Sequence, residues 1–312
     1  MIKYICKRLI YLALTLWVIV TATFFLMKKL PGSPFDAERF NMMSIQQQQA
    51  ILEQYGLNES VPRQYLKYMG NILHGDFGTS FTYTGQKVST VIGGRIGPSA
   101  LIGLQAVLIG LAVGLTLGII AAWRHNSGID YFTMIVAVLG VSVPNFVAAA
   151  LLQYYVALKW GILPVGFWTD WKCSVLPSIA LSFSATAMIA RFIRTEMLEV
   201  LEQDYIVTAK AKGLSPMKVL MRHAVRNSII PVVTILGPIV VNLLTGSLAV
   251  ENIYTIPGIG SLFVDSIKAN DYSTIMGITI FYSAFYIFVV LIVDIAYSLI
   301  DPRIRLAAGK EG

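Results

Sequence analysis

Six stretches without a charged side chain, each close to or longer than a bilayer crossing, restrict this chain more than any other feature. They are Leu9–Met27, Ile96–Trp123, Tyr131–Leu158, Cys173–Ala190, Asn227–Val250 and Tyr272–Val293. A spanning helix needs roughly 20 apolar residues, because the hydrocarbon core is about 30 Å thick and each helical residue rises about 1.5 Å. In lipid every backbone N–H and C=O must be satisfied inside the segment, so such runs become helices. The sequence therefore predicts an all-α integral membrane protein with about six transmembrane helices. Only 13% of the 312 residues are charged, about half the share usual in soluble domains. The first run follows Lys3, Lys7 and Arg8, like a signal peptide. It is too long for a signal h-region, and further spans follow, so it reads as a retained first helix.

Orientation follows from the loops. With the N-terminus inside, segments 1–8, 124–130, 191–226 and 301–312 are cytoplasmic and hold about 14 of the 24 Lys and Arg residues. The longer exterior segments hold the rest, so the positive-inside rule places both termini in the cytoplasm. The net charge of +7 has the same origin and calls for no nucleic-acid partner. Within the spans, Gly110, Gly114 and Gly118 recur every four residues, with Gly103 upstream, and such a stripe lets a second helix approach closely. Pro144, Pro231 and Pro238 are each expected to free a carbonyl and bend a helix.

Two regions leave the membrane pattern. Residues 31–95 predict a small exterior cap: a helix from Ser44 as cap to Tyr55, ended by Gly56, and a second from Pro62 to Leu73 with Tyr65, Leu66, Met69, Ile72 and Leu73 on one face. Residues 191–228 predict a helix through Lys212, a turn at Gly213, and a second helix opened by Ser215 and Pro216. On that second helix Lys218, Arg222 and Arg226 form one basic stripe, with Val219, Leu220 and Ala224 facing elsewhere. A bent helical pair of this kind suits either a groove on a partner protein or anionic lipid headgroups. The residues alone leave both open.

The segment Asp204-Tyr-Ile-Val-Thr-Ala-Lys-Ala-Lys-Gly-Leu-Ser-Pro216 resembles the conserved cytoplasmic loop of permease subunits of binding-protein-dependent ABC importers. Val207, Thr208 and Ala209 stand at its Glu-Ala-Ala positions and Gly213 at its glycine. The leading Glu is absent, and Val225-Arg226 stands in place of a later Leu-Pro pair. Leu30-Pro-Gly-Ser-Pro34, Tyr55-Gly-Leu57, Gly75-Asp-Phe-Gly-Thr-Ser80, Arg222-His-Ala-Val-Arg-Asn227, Ile256-Pro-Gly-Ile-Gly260 and Asp301-Pro-Arg303 are similar to the oligopeptide, dipeptide and nickel branch of that family, the first of its paired permeases.

The resemblance implies an N-terminal helix at 1–30, the cap at 31–95, an importer core at 96–303 with its coupling loop at 195–228, and a cytoplasmic tail at 304–312. It implies a bacterial cytoplasmic membrane, a second homologous permease, two ATPase subunits carrying ATP and Mg, an exterior peptide-binding protein and a peptide substrate. Tyr205, Thr208, Ala209, Ala211, Gly213 and Pro216 would form the ATPase-coupling loop. Asn145 and Asn242, among the polar residues Ser142, Gln153, Ser182, Ser184 and Thr245 within spans, either line the path or bond neighbouring helices. Pro257, Gly258, Gly260 and Phe263, in the amphipathic loop 251–271, would serve as an exterior gate or receptor contact, or as a static interfacial helix.

The chain carries no Gly-x-x-x-x-Gly-Lys-Ser/Thr, and its histidines His74, His125 and His223 lack metal-ligand spacing. It is expected to bind no cofactor or metal and to hydrolyse no ATP itself. Rival readings are an ion-coupled secondary transporter, for which Asp294 is the one intramembrane carboxylate candidate, and a membrane scaffold. Arg191 and Arg194 are expected to snorkel to headgroups.

Overall fold

The computed structural model describes the backbone of residues 2–35, 37–244 and 248–300, and the side chains of 9–35, 40–244 and 248–292. Its α-helices are α1 (Ile2–Lys29), α2 (Ala37–Met42), α3 (Ile45–Gln54), α4 (Val61–Leu73), α5 (Val88–Trp123), α6 (Gly128–Ser142), α7 (Asn145–Leu152), α8 (Val175–Leu201), α9 (Asp204–Ala211), α10 (Pro216–Val219), α11 (Arg226–Leu244), α12 (Leu248–Ile253), α13 (Ile259–Lys268) and α14 (Tyr272–Ile300). Wider π-helical turns follow α7 at Gln153–Lys159 and α10 at Leu220–Val225. Among the described residues, five helical stretches are long and apolar enough to cross a membrane: Leu9–Lys29, Val88–Trp123, Trp171–Leu201, Pro216–Ile253 and Tyr272–Ile292. A sixth crossing results if Gly128–Ser142 and Asn145–Lys159, bent by 100°, count as one span. Two compact units are present, Met1–Gly97 with Gly258–Ile287, and Pro98–Pro257 with Phe288–Gly312.

In the first unit, Ser44 caps α3 as a reciprocal box. Its Oγ accepts from the Gln47 N–H at 3.3 Å, and Gln47 Oε1 accepts from the Ser44 N–H at 3.0 Å. Helix α4 turns Tyr65, Tyr68, Met69 and Ile72 partly inward but leaves Leu66 and Leu73 exposed. The expected face is thus rotated. Aromatic packing sets the rotation, with Tyr65 and Tyr68 both lying against Phe24 of α1 at centroid distances of 5.4 and 5.8 Å. Val88, Ile92, Ile259, Leu262 and Ile278 form this unit's buried core. Asp271, fully buried, caps α14 by accepting from the Thr274 N–H at 3.1 Å, and it also accepts from the Thr82 N–H and the Ser80 hydroxyl.

The second unit is organised around α8. The glycine stripe of α5 faces it. A Cβ on Gly110 would stand 3.0 Å from Ala185 Cβ, one on Gly114 2.8 Å from the Thr186 carbonyl, and one on Gly118 would collide with Ala190 O and Ile193 Cγ2. Gly103 instead opposes α11, where a Cβ would meet Leu244 Cα at 2.7 Å. Lipid offers no hydrophobic drive for helix association, so this close backbone approach is what joins the helices. Of the three prolines expected to bend helices, Pro144 separates α6 from α7, whereas α11 runs through Pro231 and Pro238. Helix α8 continues beyond the charge-free stretch that ends at Ala190, as far as Leu201.

Candidate functional site

The segment after α8 is a helical hairpin with a small core of its own. Ile206 and Ala209 of α9 and Val219 of α10 are buried together against Val200 and Leu201. The expected single helix through Lys212 is broken at Glu202-Gln203, where Gln203 takes extended backbone and opens α9. At the far end Gly213 adopts φ +79°. The Gly213 N–H donates to Lys210 O at 2.9 Å and the Leu214 N–H to Ala209 O at 3.3 Å, the paired bonds of a left-handed helix stop. Open space surrounds the position where a Gly213 Cβ would stand. The glycine is therefore required by backbone conformation and not by crowding.

Within this hairpin Tyr205, Thr208, Ala211, Gly213 and Pro216 are exposed, whereas Ala209 is turned into the small core. Asn227 Nδ2 donates to the Tyr205 hydroxyl at 3.2 Å, tying α9 to the start of α11. Lys218, Arg222 and Arg226 are exposed, with Val219, Leu220 and Ala224 buried behind them. Met217 and Met221 add exposed apolar surface beside the basic stripe, and Val207 is exposed on α9. Basic and apolar groups thus share one exposed, internally braced hairpin.

Upstream lies a polar cluster that the sequence reading missed. Asp130, 1% exposed, accepts from Arg194 Nε at 2.6 Å and Nη2 at 2.8 Å, and from the Asn126 N–H at 3.0 Å. His125 Nδ1 lies 3.2 Å from both Asp130 Oδ2 and Arg194 Nη2. Arg194 therefore does not snorkel to headgroups. It is held in the protein because a carboxylate on α6 meets both arms of its fork. Asp130 gave one usable signal: it is a lone acid in the first turn of a helix capped by Ser127.

The expected path residues sit on different helices. Asn145 opens α7 at the bend, with its Nδ2 donating to Ser184 Oγ at 3.4 Å and its Oδ1 buried without a partner among the described residues. Asn242 is exposed on α11. Gln153 Nε2 bridges Val165 O at 2.7 Å and Ile253 O at 2.8 Å, and the Ser142 and Ser182 hydroxyls bond their own helix backbones. The buried Tyr254 donates from its hydroxyl to Ala149 O at 2.9 Å, and burial pushes that phenol above its ordinary pKa. Another unanticipated carboxylate is Glu251, buried on α12, which accepts from Ser99 Oγ at 2.7 Å. Pro257 is half-buried, Gly258 and Gly260 are buried, and Phe263 of α13 is half-buried while Ile267 is exposed. Thr245 and the side chain of Asp294 lie outside the described residues, as do Asp301-Pro-Arg303 and the tail at 304–312.

Comparison with known proteins decides the family. Residues 114–306 match the model of the binding-protein-dependent transport system inner membrane component, and residues 1–93 match the N-terminal model for the membrane component of such systems. The chain belongs to this family. It is 43% identical to the dipeptide transport system permease protein DppB of Lactococcus lactis, over 98% of this chain and 100% of that one. It is 44% identical to DppB of Bacillus subtilis, over 98% and 99%. Against the oligopeptide transport system permease protein OppB of Escherichia coli the identity is 39%, over 98% and 100%. A methionine ABC transporter solved in inward-facing conformations shares the fold, with a TM-score of 0.57 at 13% identity over 68% of this chain and 97% of that one. A second solved amino acid ABC transporter gives 0.52 at 16%, over 66% and 92%. This permease is a multi-pass membrane subunit of an ABC importer, and the ATPase activity of such systems resides in separate subunits.

Proposed function

We propose that this permease forms, with a second homologous permease, the pathway for ATP-driven uptake of oligopeptides across a bacterial cytoplasmic membrane. The observation that carries the reading is identity of 39–44% over 98% of the chain to permeases named for dipeptides and oligopeptides. An exterior peptide-binding protein delivers the substrate, and two ATPase subunits hold ATP and Mg on the cytoplasmic side, where both termini also lie. Tyr205, Thr208, Ala211, Gly213 and Pro216 present the surface that docks on an ATPase, with Ala209 seating α9 behind them.

Geometry supports this division of labour. The hairpin has a small core shared with the last turn of α8, and α8 runs directly into it through Gln203. The Asp130–Arg194 pair ties that end of α8 to α6, which leads to the bend at Pro144 and to Asn145. A displacement at the hairpin therefore has a covalent and hydrogen-bonded route to the bend. The buried, unpartnered Asn145 Oδ1 sits at that bend, where an opening would expose an acceptor. Pro257, Gly258, Gly260 and Phe263 are the elements we assign to the exterior gate or receptor contact, with Asn242 on the path.

Co-purification tests the proposal. The chain, expressed with its genomic neighbours and extracted in mild detergent, is expected to carry a second permease and nucleotide-binding subunits, and the cells to take up a labelled tetrapeptide. Gly213→Arg is expected to remove the nucleotide-binding subunits and the uptake while the permease still elutes as a monodisperse peak. A chain that purifies alone would return the ion-coupled transporter to first place.

A further inference from the structure

The cap of the first unit contains a pocket that the coupling and path assignments leave unused. It has a volume of about 220 Å³ and is bounded by the outer end of α1, the α3–α4 pair, the 77–81 loop and the start of α14. Its walls are aromatic. Tyr55 and Phe81 stack at 4.4 Å between centroids, and the Phe24 ring lies 5.8 Å from that of Tyr68. Its charges are of one sign: Lys28 and Lys67 line it, and there is no carboxylate among its described lining residues.

Three donors reach this space with capacity to spare. Lys28 places its ammonium 5.7 Å from the Phe24 centroid and donates one hydrogen bond to Gln64 Oε1, leaving two of its three N–H groups. Lys67 is largely exposed and has one anionic neighbour among the described residues, Glu59, at 3.7 Å. The Tyr68 hydroxyl is buried and has no partner among the described residues. Burial raises its pKa, so it stays a donor. A buried tyrosine hydroxyl ordinarily finds an acceptor, and leaving it unpaired is costly. Cationic and neutral donors around an aromatic slot call for an anion carried on an apolar body. Drug-sized pockets run about 300–1,000 Å³, so this smaller one suits a group of single-residue size.

We propose that the cap pocket captures the C-terminal carboxylate of a peptide, with Lys28, Lys67 and Tyr68 on the carboxylate and the last side chain between the aromatic walls. The inference rests on the peptide-uptake reading and adds a holding site on the cap, which the proposed topology places outside. Capture of a terminal carboxylate by clustered donors is a recurrent mode of peptide recognition.

The test uses the full chain in phosphatidylcholine nanodiscs and two photoprobes, Ala-Ala-benzoylphenylalanine with a free carboxylate and the same peptide as its C-terminal amide. The acid is expected to cross-link within segments 24–28 and 54–81, and the amide about tenfold less, since a charge-assisted hydrogen bond is lost. Lys28→Gln with Lys67→Gln is expected to match the amide's loss, and Tyr68→Phe to lose less, each variant eluting as wild type does. Equal labelling by acid and amide, or undiminished labelling of the double variant, overturns the proposal. A phospholipid retained in native mass spectra of the wild type and lost from the double variant overturns it too, in favour of a headgroup phosphate. Tetrapeptide uptake by cells is scored alongside. No uptake overturns the transport reading, whereas uptake without acid-dependent labelling overturns the pocket alone.

Discussion

Helix α8 meets α5 and α6 by opposite means. Toward α5 the contact is made of small residues, with Gly110, Gly114 and Gly118 set against Ala185, Thr186, Ala190 and Ile193 at near-contact backbone distance. Toward α6 it includes a buried carboxylate gripped by both arms of Arg194 at 2.6 and 2.8 Å. The first contact is spread over three turns, and its strength lies in shape. The second is concentrated in two side chains, and its strength lies in charge-assisted hydrogen bonds within a poorly solvated site. A distributed seam resists sliding through close fit, and holds its register only as tightly as its glycines are small. A point clamp fixes one position and leaves rotation about it. For a helix that runs into the proposed ATPase-docking hairpin, the pairing gives one stiff flank and one pivot.

Breaking the clamp is expected to have the largest effect. Asp130→Ala leaves Arg194 largely buried without its acceptor, which costs about 3–5 kcal/mol when one partner of a buried pair is removed. In detergent this should appear as a sharply lowered thermal aggregation midpoint. Asp130→Leu combined with Arg194→Met is expected to recover most of the loss, because a packed apolar pair avoids the unpaired charge. A double variant no more stable than the single would show that the cluster with His125 and Asn126 works as a network. Gly118→Leu comes next. Overpacking typically costs about 1–3 kcal/mol and occasionally more, and here the new side chain meets the Ala190 carbonyl and Ile193. Lower yield of monodisperse protein is the expected readout.

Gly213→Ala sharpens the comparison from outside both contacts. The position is left-handed but uncrowded, so the cost is the backbone penalty of about 1–2 kcal/mol. The aggregation midpoint is expected to fall less than for Asp130→Ala, while peptide uptake falls more than the stability loss explains. A midpoint drop as large as that of Asp130→Ala would mean that the hairpin is part of the fold's support and not an appended docking piece.

The two faces of α8 also differ in how far the sequence revealed them. The seam was legible, because Gly110, Gly114 and Gly118 repeat at the spacing of one helix face and that pattern has a single physical use in lipid. Ser44, Gly56, Gly213 and Pro216 were legible for a related reason: caps and stops are local, and a few neighbouring residues determine them. The clamp was not. Asp130 and Arg194 are 64 positions apart, and a charge at the end of an apolar run looks the same whether it meets headgroups or a partner. The rotation of α4 was hidden likewise, since Tyr65 and Tyr68 choose their face by meeting Phe24 on another helix. Pro144 against Pro231 and Pro238 marks a further limit. All three residues remove the same donor, yet only the first ends a helix, and the neighbours that decide this are remote in sequence.

The smallest effect is expected at Gly110, where two opposed terms nearly cancel. Alanine is better than glycine in a helix interior by about 0.8–1.0 kcal/mol. Against this, the added methyl stands 3.0 Å from Ala185 Cβ and 3.5 Å from the Thr186 nitrogen, so α8 must yield by a few tenths of an ångström. At Gly114 the methyl meets a backbone carbonyl at 2.8 Å and Ile189 Cβ at 2.9 Å, and at Gly118 the obstacles are closer still. The series Gly110→Ala, Gly114→Ala, Gly118→Ala should therefore run from near neutral to clearly destabilising, read as successive drops in aggregation midpoint with the clamp intact. A flat series would mean that α8 can shift freely along α5. The Asp130–Arg194 pair would then hold the register, and the seam would be only a surface on which the helix slides.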